Sequence, residues 1–208
     1  MATPHTSRLR PGDSAVTAAG STTTVDAIEL LKSDHRQVED WFAQFGASED
    51  ASRKQAVAAD ICKALEVHTA IEEEIFYPAF LEAGGSVAVH HEALVEHAAA
   101  KRLIAQIRSS SGPAADDYYA ARIQVLAEMI HHHVLEEEKP GGMFALAADL
   151  DLDLEALGAR LEQRKVQLMD DAATDQGYDA AVGDADEGEE ITPEFEDPAT
   201  DDGIEPRD

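Results

Sequence analysis

The stretch from His68 to Pro78, HTAIEEEIFYP, decides how this chain folds. With the residues on either side, it supplies the row Val57, Ile61, Leu65, His68, Glu72, Ile75 and Ala79. Steps of three and four make this the apolar stripe of an amphipathic helix, with a histidine and a glutamate set into it. Burying an imidazole and a carboxylate without partners is costly, so both call for a compensating group. Residues four apart on a helix have β-carbons about 5 to 6 Å from one another. His68 and Glu72 can therefore approach one metal ion or bridge two.

The same spacing returns downstream. His133 and Glu137 continue the row of Ile123, Leu126 and Ile130, in a helix expected from about 115 to 139 and ended by Pro140-Gly141-Gly142. The helix carrying His68 spans about 51 to 82; Pro78 is expected to bend or tighten its last turns, and Gly84-Gly85 stop it. A first helix, about 25 to 45, has Thr23 and Thr24 as caps, Gly46 as its end, and the stripe Ile28, Leu31, His35, Val38, Phe42, Phe45. A third starts after Ser86, carries Val87, Leu94, His97 and Ile104, and breaks at the run from Ser109 to Pro113. A shorter fifth, about 154 to 168, places Leu154, Leu157, Leu161 and Leu168 to cap the others. Short breaks between long amphipathic helices predict an all-α, antiparallel up-down four-helix bundle with a short fifth helix and disordered termini.

Charge marks out the ends. The formal net charge is -27, and beyond Leu168 acids crowd among Gly, Ala, Thr and Pro with Arg207 the one basic residue. Residues 169–208 are thus expected to form a disordered acidic tail, 1–23 a second disordered segment, and 24–168 the bundle. No apolar run of about 18 residues exists, so no membrane span is expected. Sixteen Lys and Arg against 43 acids argue against nucleic acid as a partner. The lone cysteine, Cys62, precludes an internal disulfide and suits a reducing, cytoplasmic setting.

Four histidines and two glutamates thus interrupt four separate apolar stripes: His35, His68, Glu72, His97, His133 and Glu137. Imidazole with carboxylate suits iron, manganese or zinc. Six side chains overfill a four-coordinate zinc site yet leave open positions on two iron ions, particularly with a water-derived oxygen or hydroxide as a further bridge. Alternatives stand inside the motifs. His132 with Glu136 rivals His133 with Glu137, and His131 belongs to the same triplet. His90 and His91 read as surface or supporting groups. Glu73, Glu74, Glu96 and Glu138 read as a solvated charged face, with Glu73 the reserve ligand. Tyr77, Tyr118 and Tyr119 read as packing, and Glu128 with His131 is the lone ExxH pair a ferritin-like centre would need twice.

In these stretches, Asp34-His35-Arg36, His68 to Pro78, Glu96-His97 and His133 to Glu138, the chain resembles the hemerythrin-like HHE cation-binding family over about residues 25–148. The resemblance implies a non-haem centre of two carboxylate-bridged iron ions that binds, senses or reacts with dioxygen, peroxide or nitric oxide. Oxygen-carrying members have two histidines four apart on the third helix, where this chain has Ala93 before His97. They place the last carboxylate five residues after the final histidine, which here is Glu138 in place of Glu137. Both departures favour sensing or redox chemistry over oxygen carriage. A second expectation is a non-catalytic iron-responsive module that meets a protein partner through the acidic tail.

Overall fold

Asp26 starts the first helix by accepting a hydrogen bond from the Glu29 amide at 2.9 Å, so the cap lies nearer the helix than Thr23 or Thr24. In the computed structural model, residues 25–110 and 117–182 are described, and among these every regular element is a helix. The helices are α1 (Ala27–Ala47), α2 (Ala51–Ile71), α3 (Tyr77–Glu82), α4 (Val87–Arg108), α5 (Asp117–Glu138), α6 (Met143–Ala148) and α7 (Leu154–Val182). The segments expected to be disordered, 1–23 and 169–208, lie outside the described residues, except that 169–182 continue α7 beyond Leu168.

Between α2 and α3 runs a π turn, Glu72–Phe76, closed by the Tyr77 amide donating to the Glu72 carbonyl. Pro78 therefore does not tighten the helix. A proline ring clashes with the carbonyl four residues back and cannot donate to it, and the wider turn just before it relieves both demands. Gly84, at φ +93°, then ends α3 in a conformation that favours glycine.

Helix α6 was not anticipated. Gly141 turns the chain at φ +79°, and a β-carbon on Gly142 would fall 2.3 Å from the Glu136 carbonyl oxygen, so only glycine lets the chain double back this closely. Met143 and Phe144 are thereby buried over the end of the bundle.

The core divides into two apolar halves. One contains Val38, Leu65, Ala100, Ile104, Leu126, Ile130 and Val134. The other contains Leu31, Ile71, Phe76, Tyr77, Phe80, Ala93, Met143 and Phe144. Along α1 and α4 the chain passes from the second half to the first; along α2 and α5 it returns, which is the antiparallel up-down order expected. Where each helix crosses between the halves stands a polar residue: His35, His68 with Glu72, His97, and His133 with Glu137.

Candidate metal centre

All six of these side chains are buried, each with at most 4% of its surface exposed. The structure brings them together in two pairs of imidazoles. His35 Nε2 and His68 Nε2 are 3.1 Å apart, and His97 Nε2 and His133 Nε2 are 3.2 Å apart. Each carboxylate spans the pairs. Glu72 Oε2 lies 3.2 Å from His68 Nε2 and 3.3 Å from His97 Nε2. Glu137 Oε2 lies 3.5 Å from His35 Nε2 and 3.6 Å from His133 Nε2. Ligands at right angles on bonds of about 2.1 Å stand about 3.0 Å apart, so these separations suit donors sharing a cation. Two groups meet that description, one of His35, His68, Glu72 and Glu137 and one of Glu72, His97 and His133.

Outward from this cluster runs a ring of acids, Asp34 together with Glu73, Glu96 and Glu138, the last three of which read from sequence as a solvated face. His35 Nδ1 donates to Glu138 at 2.8 Å, His97 Nδ1 to Glu73 at 3.0 Å, and His133 Nδ1 to Glu96 at 2.7 Å. Asp34 stands 3.6 Å from His68 Nδ1, too long for a hydrogen bond. Each acid has a basic neighbour in turn. Arg36 pairs with Glu138, Lys165 with Asp34, and Lys101 with Glu73 at 2.7 Å, while His132 lies 3.5 Å from Glu96. His132, the rival of His133, thus sits outside the cluster with its side chain 63% exposed, and Glu138 supports His35 from outside. The signal in the sequence was adjacency: Asp34, Glu73, Glu96 and Glu138 each directly neighbour a cluster residue.

This ring fixes the tautomers. A carboxylate only accepts, so Nδ1 carries the proton on His97 and on His133. Each then presents Nε2 to the other inside the cluster at 3.2 Å, where one cation can take both nitrogens. Glu72 Oε1 and Glu137 Oε2 have no hydrogen-bond partner in the protein, although both are buried. Unpaired acceptors inside a core are costly, and a metal ion is the partner they fit.

The acid-base state of the protein alone agrees. Burial would raise the Glu72 carboxyl, but His68, His97 and His133 outweigh it and hold its pKa below the ordinary range. Burial and the charge of Glu72 push Glu137 up to about 8, against the pull of His133. His35 is held well below the usual histidine range by burial and by His68.

Tyr77, read from sequence as packing, is fully buried with its hydroxyl against the cluster: 3.1 Å from Glu137 Oε1, 3.2 Å from His97 Nε2 and 3.4 Å from Glu72 Oε2. Burial and the two carboxylates push its phenol well above the usual range, so it stays a proton donor. Phe144 of α6 stacks on His35, with centroids 5.7 Å apart and planes at 15°, and closes that side. His90 packs edge-on against Tyr77 at 5.6 Å and stands outside both donor groups; His91 is exposed.

The hemerythrin HHE cation binding domain model matches residues 26–140. A DNA nickase from Nostoc sp. (strain PCC 7120 / SAG 25.82 / UTEX 2576) is 30% identical over 128 residues, covering 60% of this chain and 35% of that protein, so the chain spans about a third of its length. The crystal structure of a hemerythrin HHE cation binding domain-containing protein, the Rv2633c homolog from Mycobacterium kansasii, superposes with a TM-score of 0.62. It shares 22% identity and covers 72% of this chain and 91% of its own, a likeness of fold.

Proposed function

The chain belongs to the hemerythrin HHE cation-binding domain family, and on that premise we propose that it holds two non-haem iron ions and acts on a small oxidant or diatomic ligand: dioxygen, peroxide or nitric oxide. His35 and His68 would hold one ion, His97 and His133 the other, with Glu72 and Glu137 shared. The observation that carries this reading is that each carboxylate touches one imidazole from each pair. Shared carboxylates offset the repulsion between neighbouring cations; six side chains overfill a single four-coordinate zinc site, and manganese, which takes the same ligand types, ranks behind iron on the family resemblance. An iron pair supplies electrons and open coordination positions to a small ligand.

The protein's own groups complete the site. Glu138, Glu73 and Glu96 hold His35, His97 and His133 in the Nδ1-protonated form, leaving Nε2 to bind. Tyr77 offers one hydroxyl proton at the cluster, close to Glu137. Phe76, Phe144 and the aliphatic core on either side limit the water that reaches it. With 16 basic residues against 43 acidic ones, a small ligand suits this chain better than nucleic acid, and the activity named for the nickase belongs to a much longer protein. None of the described helices is long and apolar enough to cross a membrane, and we place the protein in a reducing, cytoplasmic setting.

The test is metal analysis with an optical spectrum, on the full chain purified under gentle conditions from its own cells. Two irons per chain, with near-ultraviolet absorption that changes on adding peroxide, are expected. One zinc per chain, or no metal, would overturn the reading. The same measurement on His97→Ala and Glu137→Ala, each expected to lose iron, tests the residue assignments.

A further inference from the structure

A cation bound by six buried side chains needs a way in, and the structure offers one beside Ala93. Ala93 lies on α4 one turn before His97, facing the core with 4% of its surface exposed. Its methyl group leaves a cavity of about 170 Å³ between α4, the end of α5 and the start of α6. Glu137 lines this cavity although only 2% of its surface is exposed, and its Oε2 has no hydrogen-bond partner. Glu92, Glu96 and Glu136 also line it, with Lys139, whose ammonium pairs with Glu136. The opposite side of the cluster differs. There the void beside His35, His68, His97 and His133 is only about 10 Å³, walled by Val38, Leu65, Ile130 and Val134.

We propose that the cavity beside Ala93 is the inlet through which a divalent cation reaches the cluster, with Glu92 and Glu136 concentrating the ion at its mouth and Glu137 receiving it. Carboxylates outnumber the single ammonium along the walls, and a cleft lined by one sign of charge raises the local concentration of the opposite ion. Anions are repelled by the same field. Glu137 is the acceptor because it alone combines contact with the cavity and contact with both imidazole pairs. The width of the passage depends on residue 93, since protein interiors are packed too closely for a larger side chain there to leave the space open. The other wall is backbone: the chain at Gly142 runs close against the Glu136 and Glu137 carbonyls.

This inference rests on the metal-binding reading, and one experiment separates their failures. The full chain is stripped with chelator and mixed with Co(II), and uptake is followed by visible absorption. For Ala93→Leu, uptake at least about tenfold slower than wild type is expected, with the same final cobalt content and helical circular dichroism. The pair Glu92→Gln with Glu136→Gln, one exposed and one partly exposed residue, is expected to slow uptake about tenfold at low salt and to lose most of its salt dependence. That pair carries the test should Ala93→Leu fail to fold. Wild-type rates in both variants overturn the inlet and leave the metal site standing. A wild-type chain that binds no Co(II) overturns both.

Discussion

Lys165 of α7 is ion-paired with Asp34 of α1, and Asp34 Oδ2 stands 3.6 Å from His68 Nδ1. A helix beyond the family-matched residues 26–140 thus reaches the outer side of the cluster. Groups that steady a metal-bound imidazole from behind typically change metal affinity by about 10- to 100-fold when removed. Asp34→Asn is expected to weaken cation binding within that range, and Lys165→Ala to weaken it less, because Asp34 remains. Competition against a chelator of known affinity measures both. Unchanged affinity in Asp34→Asn would show that the 3.6 Å approach has no consequence for binding.

The seating of α7 depends on Gly158. A β-carbon there would fall 2.3 Å from the Val25 carbonyl oxygen and 2.8 Å from the Ala27 amide, both backbone atoms at the start of α1. Gly158→Ala should destabilise the protein by about 1 to 3 kcal/mol. Gly46, within α1, meets nothing within 4 Å, so Gly46→Ala should stabilise by about 0.5 to 1 kcal/mol through helix propensity. Urea unfolding of the two variants should move in opposite directions.

Cys62 is buried against the first core half, and burial raises its thiol pKa from 9.0 to about 11. Alkylation by iodoacetamide at pH 8 should therefore be far slower in the folded chain than in urea. A raised folded pKa means the stability linked to this thiol is fully present below pH 9.0 and is lost as pH rises toward about 11. Cys62→Ser titrated over that window should lack this part of the alkaline loss. An identical alkaline slope in both proteins would count against it.

Tyr77→Phe removes a hydroxyl that reaches Glu137, His97 and Glu72. In chelator-treated protein this should lower stability by about 1 to 3 kcal/mol, since buried acceptors lose a donor. Helix content should be unchanged. Equal unfolding midpoints would place the hydroxyl outside the network.

Much of the bundle was legible because each helix carries its own apolar row, and His68 with Glu72, or His133 with Glu137, could be assigned to a face from that row alone. What could not be seen depends on a neighbour. Glu138 looks like surface on α5 because the imidazole it meets, His35, belongs to α1. Tyr77 reads as packing until the π turn Glu72–Phe76 sets its hydroxyl against Glu72. Helix α6 is too short for periodicity to announce, and Met143 and Phe144 find their place through the turn at Gly141 and Gly142.

The ring of acids also has a direction of travel. Asp34 on α1 faces the histidine of α2, Glu73 at the end of α2 faces that of α4, Glu96 on α4 that of α5, and Glu138 on α5 returns to α1. On α1 and α4 the acid comes one place before its helix's histidine; on α2 and α5, which run the other way, it comes five places after. At about 100° per residue, one step back and five steps forward turn to the same side once the helices are viewed from one end of the bundle. The circuit is therefore written along the chain as a grammar, DH, HxxxEE, EH, HxxxEE, whose word order reverses with helix polarity. Swapping Glu96 and His97 would leave the composition intact, yet turn the imidazole out of the cluster and break the circuit at α4.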